Sequence, residues 1–439
     1  MIVMKFGGSS VKNAERITNV GTIIKSRLDK KPIVVVSALG GITDMLIGTA
    51  ENAFEGKDTS KLLAEIRERH TSTLKDLGLD ESLVDEQLKE FEELIKRIEA
   101  VKEITTETMD HIQSFGERMS ARIVAAHLSN TGTPAEAHDA YDVGFISDDN
   151  YGDAEPLEET EAQLREHLTN KTAVPVITGF IAKTKAGKIT TLGRGGSDYT
   201  AAIIGAAVNS EEIQIWTDVN GIMTTDPRIV KEAKTISEIS FNEASELAYF
   251  GAKVLHPKTI IPAVEKNIPV RVLNTYEPDN EGTVILKEVN DNQPIKAIAC
   301  KRHNLIMNIT SSRMLNAYGF LTKVFSVFEK NRKSVDMIST SEVSISLTLS
   351  NDKDIDKIEK SLKRYAEIKI EGDKSIICIV GDGMKHIPGI AAKTFSVLGN
   401  NKINVEMISQ GASEINISFV VNDVDADNAI KALHKEYFG

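Results

Sequence analysis

Over the first fifty residues, short apolar runs alternate with stretches in which apolar positions recur every three or four residues. IVMKF is the first run, Asn13 to Leu28 has the helical period, and PIVVVSA is a second run bounded by Pro32 and Gly40. Apolar runs separated by amphipathic helices predict a parallel βαβ sheet. From Asp58 to Asp110 the chain is dense in Glu, Lys, Leu and Ile at helical spacing and contains no proline, which predicts a charged helical insertion, about 51–115, flanking the sheet. Strand patterns return at VPVITGFIA, KITTL, EIQIWT and IPVRVL, so the first domain is expected to span 1–287.

A polar linker, Glu288 to Pro294, precedes a change of texture. GFLTKVFSVFEKNRKSVDMIS from Gly319 matches GIAAKTFSVLGNNKINVEMIS from Gly389 at an offset of 70 residues. Each copy starts from a strand, NLIMNIT or SIICIVG, and continues into SEVSISLTL or SEINISFVV, an acidic turn and an amphipathic helix. Two copies of a small α+β module are therefore predicted, at 295–372 and 373–439.

Charge narrows the choice of partners. A formal net charge of −12 over 439 residues disfavours a surface that tracks nucleic-acid phosphates. No basic leader with an apolar segment opens the chain and no apolar run is long enough to span a bilayer, so a cytoplasmic location without membrane contact is expected. Cys300 and Cys378 lie in apolar or strand-like surroundings with no CxxC spacing, and read as packed thiols.

Two turns are suited to anions. In MIVMKFGGSS a strand ends near Lys5 and leads into Gly7, Gly8, Ser9 and Ser10, where bare backbone amides and a lysine can meet phosphate oxygens; Ser9 or Ser10 as an ordinary helix N-cap is the alternative. In TTLGRGGSDYTA, Gly193, Gly195 and Gly196 surround Arg194, and Ser197 and Asp198 stand at the predicted start of a helix. Arginine offers a planar fork to carboxylate or phosphate, and Asp198 as a helix cap is the competing reading. The chain has no GxxxxGK[ST] loop, no protein-kinase HRD and DFG set, and GRGGSD does not fit GxGxxG.

KFGGSS, VVSALGGITD, SFGERMSA, TLGRGGSDYTA, WTDVNGIMTTDPR, GAKVLHPKT and IPVRVLNT, in this order, closely resemble the aspartate kinases of the amino-acid kinase superfamily, of the lysine-sensitive monofunctional type. The C-terminal repeat resembles their paired ACT domains. The resemblance implies a three-layer αβα fold with a mainly parallel central sheet, plus two ferredoxin-like ACT modules that the family interleaves. It implies transfer of the γ-phosphoryl of ATP to the side-chain carboxylate of L-aspartate, with Mg2+ carried mainly by the phosphates, as the first step toward lysine, threonine and methionine. It places Lys5 and Asp198 in catalysis, and Ser37, Thr43, Glu117, Arg194, Gly195, Gly196 and Ser197 on aspartate. Lys5, Phe6, Gly7, Gly8, Ser9, Thr217, Asp218, Met223, Arg228 and Lys253 would face the nucleotide.

By the same resemblance, Met314, Gly319, Phe320, Leu321, Val335, Asp336, Ser341 and Glu342 form an effector pocket for an amino acid, expected to be L-lysine. Glu406 stands at the position of Asp336 in the second copy. A homodimer or homotetramer through the ACT modules is expected. Two rivals stand beside this reading: a related amino-acid kinase acting on another carboxylate, and an inactive amino-acid sensor. Because nothing follows the second repeat, a fused homoserine dehydrogenase is not expected.

Overall fold

The structure is a computed structural model that describes residues 1–251, 255–289, 293–314, 318–350, 354–410 and 415–439. It divides into two compact units. The first comprises Met1–Ile222, Ser237–Phe241 and Val254–Val289; the second comprises Met223–Ile236, Asn242–Lys253 and Asn290–Gly439.

The first unit is built on an eight-stranded sheet. Its strands are β1 (Ile2–Phe6), β2 (Pro32–Val36), β3 (Ala135–His138), β4 (Val174–Thr178), β5 (Glu212–Thr217), β6 (Glu238–Ser240), β7 (Val270–Asn274) and β8 (Thr283–Leu286), in the order β3-β4-β2-β1-β5-β7-β8-β6. Every pairing is parallel except that of β7 with β8. Strands of a parallel sheet are covered on both faces, which is why IVMKF and PIVVV are apolar at nearly every position and fully buried.

Alternation sorts the two faces. Ile2, Met4, Phe6, Val34, Val36, Val176 and Trp216 join a core with α1 (Ala14–Lys25), α2 (Ile42–Glu55) and α5 (Thr106–Asn130). The intervening positions Val3 and Lys5 point the other way, toward α6 (Gly196–Val208), which packs on β1, β2 and β5. The helical insertion supplies α3 (Ser60–Asp76) and α4 (Asp85–Val101), whose apolar stripes join the first core through Ile66, Leu74, Leu88, Phe91 and Ile95. VPVITGFIA is not one strand: after β4 the chain breaks at Gly179 and Phe180, the latter at φ +70°, and Ile181–Thr184 pairs in a separate three-stranded sheet.

The second unit carries an antiparallel sheet of β9 (Ala297–Thr310), β10 (Ile338–Thr340), β11 (Ser344–Ser350), β12 (Glu367–Val380), β13 (Met407–Ser409) and β14 (Asn416–Asn422), in the order β10-β11-β9-β12-β14-β13. Its helices are α7 (Phe320–Lys330), α8 (Ile355–Leu362), α9 (Ile390–Asn400) and α10 (Ala426–Phe438). The two long strands β9 and β12 run through both modules, with the register shifting around Asn304. Leu305, Met307 and Ile309 of β9 pack with α7 and α8, whereas Ile295 and Ile298 pack with α9 and α10. A linear division at 372/373 therefore differs from the packing: residues 295–301 complete the second module, and the first is inserted after them.

Candidate functional site

Lys5 lies at the carboxyl end of β1, the end of a parallel sheet where the crossover turns gather and ligands bind. Three turns converge there. The turn after β1 is closed by Gly7 N–H donating to the Trp216 carbonyl (3.2 Å) and Ser10 N–H to the Gly7 carbonyl (2.9 Å). The amides of Gly8 and Ser9 make no hydrogen bond among the described residues. Neither Ser9 nor Ser10 caps the following helix, contrary to one sequence expectation. Asn13 does so, accepting from Arg16 N–H at 3.0 Å, and Ser10 Oγ instead meets Thr275 Oγ1 at 2.6 Å.

The turn after β2 packs on the first one. A Cβ at Gly40 would lie 3.0 Å from the Gly8 carbonyl oxygen, so the two glycine turns touch backbone to backbone. Arg69, from the helical insertion, donates to the Gly40 carbonyl (3.1 Å) and ties α3 to this turn.

The third turn opens α6. Its N-cap is Gly195, at φ +76° and without a side-chain cap bond, so Asp198 is free of the capping role. Arg194, Gly195 and Ser197 present amides that no backbone carbonyl among the described residues takes up, at the positive end of a thirteen-residue helix. The Asp198 carboxylate turns back to Lys5, with Oδ1 2.6 Å from Nζ and both side chains nearly buried. Ser37 Oγ donates to Ser197 Oγ at 3.0 Å.

These turns enclose a cleft of about 400 Å³ lined by Lys5, Gly8, Ser37, Thr43, Glu117, Arg194, Gly195, Gly196, Ser197 and Asp198. Glu117, on α5, reaches it because Gly116 lets the helix approach the β2 turn: a Cβ there would sit 2.6 Å from the Ala38 Cβ. Its Oε1 accepts the Ala38 amide at 3.1 Å, while its buried Oε2 has no partner among the described residues. Burial pushes this carboxyl up to about 8, against the opposing pull of the Ala38 amide and the Lys5 charge. Arg194 is exposed and makes no ion pair among the described residues. The cleft thus offers two cations and two turns of open amides to anions, and one orphan carboxyl oxygen to a cation.

Gly193, read from the sequence as part of the anion-suited turn, lines the cleft; Leu39, Gly40, Gly41, Asp44 and Phe180 also line it and were not expected as site residues. SALGG repeats the strand-then-two-glycines pattern of KFGGSS, a signal that could have found Gly40 and Gly41; Phe180 carries no such mark.

Of the expected nucleotide residues, Phe6 turns its side chain into the core. It is fully buried, with its ring stacked on Trp216 at 5.9 Å. Thr217 ends β5 and donates to Asp218 Oδ1 at 3.3 Å. Met223 and Arg228 belong to the second unit, where Arg228 pairs with Asp226 at 2.6 Å; Lys253 lies outside the described residues.

The effector positions lie in the second unit. Asp336 Oδ1 accepts from Tyr249 OH (3.0 Å) and Lys301 Nζ (2.7 Å), and its buried Oδ2 has no partner among the described residues. Gly319 caps α7 at φ +75°, Phe320 packs into the module core with Met314 and Val335 against it, and Leu321, Ser341 and Glu342 are exposed.

Known proteins share this arrangement. A model of the amino acid kinase family matches residues 1–274, and an ACT domain model matches residues 377–437. Aspartokinase 3, chloroplastic, of Arabidopsis thaliana is 44% identical over 455 residues, covering 99% of this chain and 81% of that protein. This chain belongs to the aspartokinases of the amino acid kinase family. Among solved aspartokinases, E. coli aspartokinase III in complex with aspartate and ADP (R-state) superposes with a TM-score of 0.83 at 33% identity, over 100% of both chains. The same enzyme in complex with lysine and aspartate (T-state) gives 0.85, also at 33% and over 100% of both chains. Among the described residues of this aspartokinase, no helix is long and apolar enough to cross a membrane.

Proposed function

We propose that the cleft binds ATP and L-aspartate side by side and transfers the γ-phosphoryl group to the aspartate side chain, giving 4-phospho-L-aspartate. One observation carries this reading: an unpartnered buried carboxyl oxygen and an unpaired arginine line the same cleft as a lysine and two sets of open amides. An α-amino acid presents an ammonium and a carboxylate, which Glu117 and Arg194 can take, with Ser37, Thr43 and Ser197 beside them. Its second carboxylate then faces Lys5. Phosphoryl transfer needs positioning and charge neutralisation more than covalent help, and Lys5, steadied by Asp198, supplies a fixed charge next to the Gly8 and Ser9 amides. Thr217 and Asp218, with Met223, Arg228 and Lys253, are proposed for the nucleotide.

Among the described residues no three His, Cys, Asp or Glu side chains gather as a metal cage. The open amides and Lys5 fit phosphates, and Mg2+ is proposed to arrive on the nucleotide's own oxygens.

L-Lysine is proposed as the inhibitor, bound at Asp336 in the first module, where the free Oδ2 suits an ammonium group. The modules are proposed to pair chains into a homodimer or homotetramer, since all three residues of the edge strand β10 are exposed. The cytoplasm is the proposed location, as expected from a sequence in which Cys300 and Cys378 have no CxxC spacing.

The test is an assay with ATP, Mg2+ and a panel of acidic amino acids, trapping acyl phosphate with hydroxylamine. Aspartate alone is expected to give a strong hydroxamate signal. Equal turnover of glutamate, or none of either, sinks the reading.

A further inference from the structure

The two modules of the second unit differ at one set of equivalent positions. At the offset of 70 residues Lys374 corresponds to Asn304, and Glu406 to Asp336. Beyond two extra residues in the second copy, Asn422 corresponds to Ser350, and the ladders agree: Lys374 pairs with Asn422 across β12 and β14 as Asn304 pairs with Ser350 across β9 and β11.

In the second module the Lys374 ammonium is buried and meets Glu406 Oε1 (2.7 Å), Asn422 Oδ1 (2.9 Å) and Glu371 Oε2 (3.5 Å). Glu406 and Asn422 accept hydrogen bonds from the ammonium, and Glu371 adds a longer ion-pair contact. The first module has an amide where the lysine stands. Asn304 is 1% exposed with Oδ1 unpartnered, and Asp336 keeps its buried Oδ2 unpartnered although Lys301 and Tyr249 hold Oδ1. Buried oxygens without donors are costly, and a carboxylate most of all. Asn304 and Lys374 are themselves partners in the β9–β12 ladder, on the pseudo-twofold axis relating the modules. The Lys374 ammonium at this axis serves the second module, whereas in the first Lys301 reaches only Oδ1 of Asp336.

We infer that Lys374 is a tethered ammonium ligand: the second module contains a primary-ammonium site formed by Glu406, Asn422 and Glu371 and filled by the chain itself, so that only the first accepts a free amino compound. The second half rests on the effector reading proposed above; the occupancy by Lys374 does not.

The site can be emptied and refilled. Lys374→Ala removes a three-carbon ammonium arm and leaves Glu406 unpaired, so its melting temperature falls. Added n-propylammonium is expected to raise the melting temperature of Lys374→Ala by several degrees more than that of the wild type or of Lys374→Met, in which methionine fills the space without charge. Equal shifts in all three, or none in Lys374→Ala, overturn the assignment. Calorimetric titration of the wild type with L-lysine keeps the idea testable if the alanine variant does not fold: one site per chain is expected, and two overturn it. A wild type that binds no lysine, with propylammonium rescue intact, overturns the effector reading and leaves the Lys374 site standing.

Discussion

Glu117 keeps a fully buried carboxyl with one oxygen on a backbone amide and the other without a partner among the described residues. Its folded-state pKa, about 8, lies above the unfolded value, so the folded chain holds a proton that the unfolded chain releases. Between about pH 4.5 and 8 the unfolded state therefore binds fewer protons, and the group lowers stability as pH rises, by roughly 5 kcal/mol across that window. Glu117→Gln should flatten the fall in melting temperature over this range and still raise the aspartate KM at least tenfold. An unchanged pH slope would show that the carboxyl is already ionised. Aspartate binding should release a proton near neutral pH, measurable as a buffer-dependent binding enthalpy.

Lys5 and Asp198 form the complementary case of a nearly buried pair. Lys5→Met should cut the hydroxamate signal about 100-fold or more and destabilise the chain by about 3 kcal/mol, because Asp198 is left unpaired. Lys5→Met with Asp198→Asn should recover most of the melting temperature and none of the activity. Lys5, Gly8, Arg194 and Asp198 were legible because glycines beside a cation at a strand end have few other uses. Phe180 was not, since its role depends on a break after β4 that an unbroken apolar run conceals.

Among the elements, the helix starts separate stability from chemistry. Asn13 caps α1 away from the cleft, so Asn13→Ala should cost about 1 kcal/mol with KM values unchanged. Gly195 starts α6 at φ +76°, where a Cβ would also come within 2.9 Å of Thr259 Cγ2. Gly195→Ala should displace the open amides and raise the KM for ATP or aspartate several-fold, beyond its effect on melting temperature. Steady-state kinetics beside thermal melts of the two variants check both outcomes. The charged insertion was read from its period as helical, but its apolar stripes do not say that Arg69 would reach the Gly40 carbonyl.

In the whole molecule, regulation depends on how the repeat is used. The sequence shows two copies, while the packing assigns residues 295–301 to the second and leaves unpartnered oxygens only at Asn304 and Asp336 of the positions compared. Asp336→Asn should raise the lysine concentration for half-inhibition at least tenfold, measured as inhibition curves at fixed aspartate. An unchanged curve would remove Asp336 from the effector site.

Local chemistry alone settled the parallel sheet, the helical insertion, the tandem modules and the glycine turns, because period, length and φ preference act over a few residues. Tertiary structure decided the rest. Which Glu117 oxygen lacks a partner, which glycine turn leans on which, and which module supplies its own ammonium all depend on groups far apart in the chain, whose burial sets the electrostatic cost that no local pattern records.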